Sequence, residues 1–316
     1  MTARADAQEG RRIVTRRLSY VLLDVFTDHR FSGNPLAVVL DADALSGDEM
    51  QKIAREFNLS ETVFLRAPRD ATNSARARIF TPQRELPFAG HPTIGAAGLL
   101  AERRAPEHLA RHGVVIALEE EIGLLRCDAH RGRDGITYVE FAAPAQPLPC
   151  GPAPTCEMLA AALSLDIDDI GFDAHAPSFF SAGAPFVFVP LRSRGALNRA
   201  RRATPQFETA MTGALGAFLY AKDTIDPANA IHARVLANGL GFDEDPATGS
   251  AVVAFAGVAM AFERPDDGAH QLFIEQGYAM GRPSRLTLRM RVENGALVGA
   301  MLGGQMTRVA EGTLFL

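Results

Sequence analysis

Ala77-Arg78-Ile79-Phe80 leads through a short turn-rich stretch to Gly90-His91-Pro92-Thr93-Ile94-Gly95 and then into an apolar run. At an offset of 156 positions, Ala233-Arg234-Val235-Leu236 leads to Asp245-Pro246-Ala247-Thr248-Gly249-Ser250 and a second apolar run. Laid over one another without a gap, the two stretches put Arg78 on Arg234, Phe80 on Leu236 and Thr93 on Gly249. In a chain of 316 residues that offset is close to half the length. It predicts two related halves, each supplying a strand, a small-residue turn and a helix start. A helix start presents unpaired backbone N–H groups and the positive end of the helix dipole, a natural place for an anion. Two of them facing each other would make a cleft.

The helices behind these starts have no polar face over Ile94–Ala101 and Ala251–Val258, so both are predicted to be buried. Working outward, short apolar or alternating segments predict strands at 20–25, 36–40, 62–65, 75–80, 114–118, 122–127 and 136–141 in the first half. In the second half strands are predicted at 177–181, 185–191, 215–221, 233–237, 272–276, 286–292, 296–302 and 306–315. Ser46 ahead of Met50, Ile53, Ala54 and Phe57 predicts a helix that stops near Asn58. A further helix is predicted over 156–163. Many short strands around one buried helix, repeated once, make an α+β arrangement, and the lack of strict βαβ alternation disfavours a doubly wound parallel sheet. The Pro- and Ala-dense stretch 143–154 is read as a linker. The expected division is a flexible tail over 1–16, one domain over 17–142 and a second over 143–316, with the last strand free to return to the first.

Length, with 47% hydrophobic and 22% charged residues, fits two globular domains of roughly 150 residues. A net charge of −5 offers nothing to draw a phosphate backbone or an anionic membrane, so neither nucleic acid nor membrane is an expected partner. The five arginines of Arg192–Arg202 read as a solvated loop. Three cysteines, Cys127, Cys150 and Cys156, lack metal-ligand spacing and fit a reduced, cytoplasmic compartment. The polar, Arg-rich residues before Arg17 lack the apolar core of a secretory signal.

Asp245 stands ahead of the second buried helix, where its carboxylate is placed to cap it, and Gly249 and Ser250 fall in the first turn. A lone Asp-Pro is commonly a cap and nothing more; paired with the matching feature in the first half it points to a site. His91 occupies the matching place there. A lone His is more often structural, yet a positive dipole end disfavours imidazolium, and a neutral ring can hydrogen-bond a substrate or relay a proton. Glu61, at the mouth of an apolar strand, reads from spacing alone as an exposed carboxylate. Turned into a closed cleft instead, it would be desolvated and its pKa raised into the range of a general base. Phosphate-loop, dinucleotide, paired-metal-ligand and nucleophile-elbow motifs do not occur. That leaves acid–base chemistry without a cofactor or metal.

The ordered motifs Asp24-Val25-Phe26-Thr27, Gly33-Asn34-Pro35-Leu36-Ala37-Val38-Val39, Ala54-Arg55-Glu56-Phe57-Asn58-Leu59-Ser60-Glu61-Thr62, Glu85-Leu86-Pro87-Phe88-Ala89-Gly90-His91-Pro92-Thr93 and Glu244-Asp245-Pro246-Ala247-Thr248-Gly249-Ser250-Ala251 carry a resemblance. With Gln276-Gly277 and Met280-Gly281-Arg282-Pro283-Ser284, they run from about residue 18 to the end. The chain resembles the PhzF-like isomerases of phenazine biosynthesis, of the diaminopimelate epimerase-like fold. The resemblance implies two similar barrel-like domains around central helices, an active site between them, a homodimer and no cofactor. It implies Glu61 as the group that takes a proton from one ring carbon and delivers it to another, with His91, Asp245 and Ser250 as its catalytic companions. Ser60, Gly90, Gly249 and Ser250 are the implied substrate-binding positions. The thiol-using epimerases of this fold place a Cys at each helix start, and none of the three cysteines lies in either motif.

The expected activity is therefore cofactor-independent isomerisation of a small carboxylated, cyclic metabolite, of the trans-2,3-dihydro-3-hydroxyanthranilate isomerase type. Two alternatives stand beside it. One is an epimerase, racemase or lyase of the same fold acting on an amino or hydroxy acid. The other is a protein that binds metabolites without catalysis. Phe179, Phe180, Phe186 and Phe242 read equally well as pocket wall or as core.

Overall fold

The computed structural model describes residues 16–316. The first half runs β1 (Arg17–Val25), β2 (Asn34–Val39), α1 (Gly47–Phe57), β3 (Glu61–Arg66), β4 (Ala75–Phe80), β5 (Glu85–Leu86), α2 (Gly90–Arg104), α3 (Pro106–Arg111), β6 (Val114–Glu120), β7 (Gly123–Arg131) and β8 (Thr137–Ala142). The second runs β9 (Leu148–Pro149), α4 (Cys156–Leu163), β10 (Ser178–Ser181), β11 (Pro185–Pro190), α5 (Arg194–Arg199), α6 (Gln206–Ala210), β12 (Gly216–Ala221) and β13 (Ile231–Ala237). It ends with β14 (Glu244–Asp245), α7 (Gly249–Phe262), β15 (Gly268–Gln276), β16 (Ser284–Glu293) and β17 (Ala296–Phe315). The fold is α+β, as expected.

Strand pairing repeats the same series in both halves. From β1 through β2, β3, β4, β6 and β7 to β8, successive pairs are antiparallel, parallel, antiparallel, parallel, antiparallel and antiparallel. From β10 through β11, β12, β13, β15 and β16 to β17 the series is identical. β17 then continues past Gly303, pairing with β8 and along the whole of β1. This closes the first ring into an eight-stranded barrel. The other edge of the second ring, β10, is flanked only by the two-residue β9.

The expected break between strands at 302 and 306 is therefore absent. Gly303 and Gly304 let a single strand cross, because a Cβ at either would run into the Tyr138 hydroxyl at 2.1 Å or the Phe26 ring at 2.2 Å. Residues 1–15 of the expected tail lie outside the described residues. Arg16 does not belong to a tail, since its backbone pairs with Leu316 in both directions.

Each ring wraps the helix whose apolar surface demanded burial. Every residue of α2 from Gly90 to Ala101 is buried, and so are ten of the fourteen residues of α7. The amphipathic helices lie outside the rings. The capping box of Ser46 and Glu49 opens α1, whose Met50, Ile53 and Ala54 cover Val39 and Phe64. The stretch 192–202 is in part helical, contrary to the loop reading: Ser193 caps α5, and Ala196, Leu197 and Ala200 at helical spacing enter a core shared with α4 and α6. No helix among the described residues is long and apolar enough to cross a membrane.

The ungapped register of the two halves holds through the strands and fails at the helices. Phe80 pairs with Glu85 and Leu236 with Glu244, so the second hairpin is three residues longer. Arg78 and Arg234 do match, each donating two hydrogen bonds to a glutamate of its hairpin, Glu85 and Glu244. The residue that matches Gly249 is Gly90, not Thr93. The two touch. A Cβ on Gly90 would lie 2.9 Å from Gly249 Cα, and one on Gly249 would lie 3.1 Å from Gly90 Cα and 2.5 Å from Leu302 Cδ2.

Replacing glycine by alanine inside a helix ordinarily stabilises by about 0.5–1 kcal/mol. At this contact overpacking decides the sign. Gly90→Ala and Gly249→Ala are each expected to lower the unfolding free energy by about 1–3 kcal/mol, measured by urea denaturation; an unchanged or raised midpoint would contradict the contact.

Candidate active site

Four elements deliver polar side chains to the meeting point of α2 and α7. Asn58, in a left-handed conformation, ends α1 and turns the chain so that Glu61 opens β3. His91 is the second residue of α2 and Ser250 the second of α7. Asp245 closes β14, paired across from Val235. Glu61, His91 and Asp245 are all buried, which removes the reading of Glu61 as an exposed carboxylate.

The residue that ties them together is Asn34, the first of β2, which the sequence reading names in a motif without giving it a role. Its amide nitrogen donates to Asp245 Oδ1 at 2.9 Å and Ala247 O at 2.9 Å, and lies 3.2 Å from His91 Nδ1. A carboxylate and a carbonyl as partners fix the amide orientation. Those two acceptors use both amide hydrogens, and His91 Nε2 has no hydrogen-bond partner among the described residues. Asp245 is not the cap of α7. Its Oδ2 accepts from the Thr248 hydroxyl at 2.6 Å, while Gln276 donates to its backbone carbonyl at 2.7 Å. Neither helix start has a side-chain cap, so their first-turn N–H groups remain for another acceptor.

Burial dominates the electrostatics. It raises the Glu61 carboxyl well above the ordinary carboxylate range, and the charge of Asp245 raises it further. Burial also raises Asp245, to about 6, against hydrogen bonds from Thr248, Ser60 and Asn34 that hold it down. His91 falls to about 3 through burial and is neutral. With the imidazole neutral, the 3.5 Å approach of His91 Nδ1 to Glu61 Oε2 is not an ion pair. Glu61 Oε2 has no hydrogen-bond partner. Buried polar atoms are nearly always paired, so an orphan here marks a group held ready for a ligand.

Glu61, Asp245 and Ser250 line one enclosed cavity of about 30 Å³, walled by Leu86, Phe88, Phe186, Leu215, Leu240 and Phe242. It has room for little beyond a water molecule. His91 is not in its wall, and its Nδ1 lies 3.5 Å from Glu61 Oε2. Ser60 faces a neighbouring pocket of about 310 Å³, and Phe242 borders both spaces. Of the four phenylalanines left open between wall and core, Phe186 and Phe242 line the cavity, whereas Phe180 and Phe179 pack against core clusters. Larger surface pockets exist, but only this one gathers carboxyl groups displaced by burial. Among the described residues no group of three or more His, Cys, Asp or Glu side chains is placed to hold a metal ion.

A family model described as phenazine biosynthesis-like protein matches residues 23–312. The chain belongs to the phenazine biosynthesis-like (PhzC-PhzF) family. Phenazine biosynthesis-like relatives include an uncharacterized isomerase of Mesorhizobium japonicum, 44% identical over 94% of this chain and 99% of its own. The trans-2,3-dihydro-3-hydroxyanthranilate isomerase of Pseudomonas aeruginosa is 33% identical over the same shares. A PhzF-family crystal structure from Bacillus anthracis superposes with a TM-score of 0.84 at 26% identity, covering 95% of this chain and all of its own. A hydroxyproline epimerase of Agrobacterium vitis, at 11% identity and a TM-score of 0.62 over 95% and 92%, shares the fold. This phenazine biosynthesis-like protein is an enzyme of the isomerase class.

Because the Asp245 charge helps to raise Glu61, Asp245→Asn is expected to move the Glu61 titration to lower pH. Carboxyl ¹³C NMR of glutamate-labelled protein reads this without requiring activity; an unmoved Glu61 resonance would contradict the coupling.

Proposed function

We propose that the protein is a cofactor-independent isomerase that moves a proton between carbons of a small carboxylated, cyclic metabolite, in the manner of the trans-2,3-dihydro-3-hydroxyanthranilate isomerases. The observation that carries the reading is Glu61: a buried carboxyl in a closed apolar cavity, with one oxygen unpaired and Asp245 beside it. A base is most effective when its pKa lies near the working pH, and burial moves a glutamate in that direction. Ionised, Glu61 takes a proton from one substrate carbon; the resulting acid returns it to another. Such positioned proton transfer contributes about 10²–10⁴ in rate.

Asp245 keeps Glu61 basic by its charge, and neutral His91 stands 3.5 Å from the carboxyl without adding a charge. Ser250 and the uncapped N–H groups near Gly90 and Gly249 hold the substrate carboxylate and stabilise the enolate-like intermediate. Ser60 meets the substrate on the outer side of Phe242. The cavity is too small for a six-membered ring, so binding requires the segments 17–142 and 143–316, proposed as two domains, to part around it. A homodimer is proposed on the resemblance alone and is checked by light scattering. The three unpaired cysteines are in keeping with a cytoplasmic setting. Racemisation by a pair of thiols is the less supported reading, because no cysteine lines the cavity.

Incubation with trans-2,3-dihydro-3-hydroxyanthranilate and related cyclic carboxylates in D₂O is expected to place deuterium on substrate carbon. Glu61→Gln should abolish that incorporation. Undiminished exchange in the variant would sink the assignment of Glu61, and binding without any exchange by the wild type would make this a metabolite-binding protein.

A further inference from the structure

Outside the Glu61 cavity a second buried carboxylate anchors a different arrangement. Glu275, at the end of β15, is fully buried and accepts hydrogen bonds from His232 Nδ1 at 2.7 Å, Asn229 Nδ2 at 2.7 Å and the backbone N–H groups of Ile225 and Asp226. Burial alone would raise its pKa, but those donors outweigh it and hold the carboxyl at about 2. Glu275 is therefore charged, and its own donors satisfy it.

His232 is 1% exposed. With Nδ1 committed to Glu275, the opposite edge of the ring forms part of the wall of a pocket of about 550 Å³. Nε2 has no hydrogen-bond partner among the described residues, and His232 lines that pocket.

The same wall carries Arg194, Arg201 and Arg234, with Tyr278 beside the His232 ring at 5.4 Å between centroids. Arg234 is committed to Glu244. The Arg194 guanidinium donates to Thr224 O and lies 3.9 Å from Asp223 Oδ1, while Asp223 Oδ2 accepts from the Arg194 backbone N–H at 3.2 Å. Arg201 donates only to the backbone carbonyls of Asn198 and Ala200 and, among the described residues, has no carboxylate within ion-pair distance. Two guanidinium groups thus retain unspent donors around an imidazole whose far side is held by a carboxylate. That is the donor set of an oxyanion site, in which the carboxylate orients the ring.

We propose that His232, Arg194 and Arg201 form a binding site for a phosphate-type oxyanion, separate from the Glu61 cavity. None of the three lines that cavity, so the site stands whether or not the proposed isomerase reading does. Arginine forks match the geometry of a tetrahedral oxyanion, and a doubly charged ligand gains from both.

Titration of the whole protein with inorganic phosphate, followed by calorimetry and by ¹⁵N shifts of the histidine rings, tests this, with sodium chloride at matched ionic strength as control. Saturable phosphate binding that moves the His232 resonances is expected. It should weaken about tenfold in Arg201→Ala, a change at an exposed side chain that leaves the core intact, and in His232→Gln. Glu61→Gln should leave it unchanged. Chloride reproducing the response, or phosphate binding unaffected by Arg201→Ala, would overturn the site, as would displacement of the binding by Glu61→Gln.

Discussion

The backbone contact between Gly90 and Gly249 is the constraint from which the rest of the architecture follows. Two helices that are apolar on nearly every side each require a surrounding ring of strands. Bringing their first turns into contact leaves room for no side chain at either glycine. Both helix starts, neither with a side-chain cap, then meet in one buried space. Any polar side chain reaching that space is desolvated, and the displaced carboxyls of Glu61 and Asp245 and the neutral imidazole of His91 are the result. The chemistry is therefore a consequence of the packing: the same residues on an open surface would titrate ordinarily.

Within this near-symmetric frame the polar groups are distributed unequally. His91 and Ser250 occupy the same helical position in the two halves. Asp245 corresponds to Leu86 by hairpin pairing, and Glu61 corresponds to Gly216 by strand register. Asn34 crosses the boundary, holding Asp245 and the Ala247 carbonyl of one half from the first strand hairpin of the other. The paired arginines keep both hairpins in place: Arg78 lies closer to solvent, whereas Arg234, 5% exposed, also donates to the carbonyls of Leu197 and Ala200.

What the amino-acid order made legible was whatever composition alone encodes. The burial of α2 and α7 followed from their lack of a polar face, and the helix α1 and most strands from local periodicity. The helix at 194–199 escaped because its arginines outweighed the spacing of Ala196, Leu197 and Ala200. The three extra residues between β13 and β14 escaped because loop length is weakly constrained, so an ungapped overlay stayed plausible well past the point where it fails. At the site, Asp245, Ser250 and Glu61 do converge. Only the fold, however, could say that Glu61 points inward, that His91 stands beside it, or that Asn34 is the bridge. Each of those depends on a partner distant in the chain.

The mismatch of Glu61 with Gly216 has a geometric consequence. In two identical subunits, a carboxyl on one wall of a shared space is necessarily repeated on the other. Here both walls belong to one chain and can differ. A Cβ at Gly216 would run into the Leu236 carbonyl at 2.3 Å, so the position that answers Glu61 carries no side chain, and the second half supplies its carboxyl from Asp245 on another strand instead. With Glu61 as the proposed proton carrier on one wall alone, departure and return of the proton would fall on the same face of the substrate, a one-sided transfer within a nearly two-fold frame.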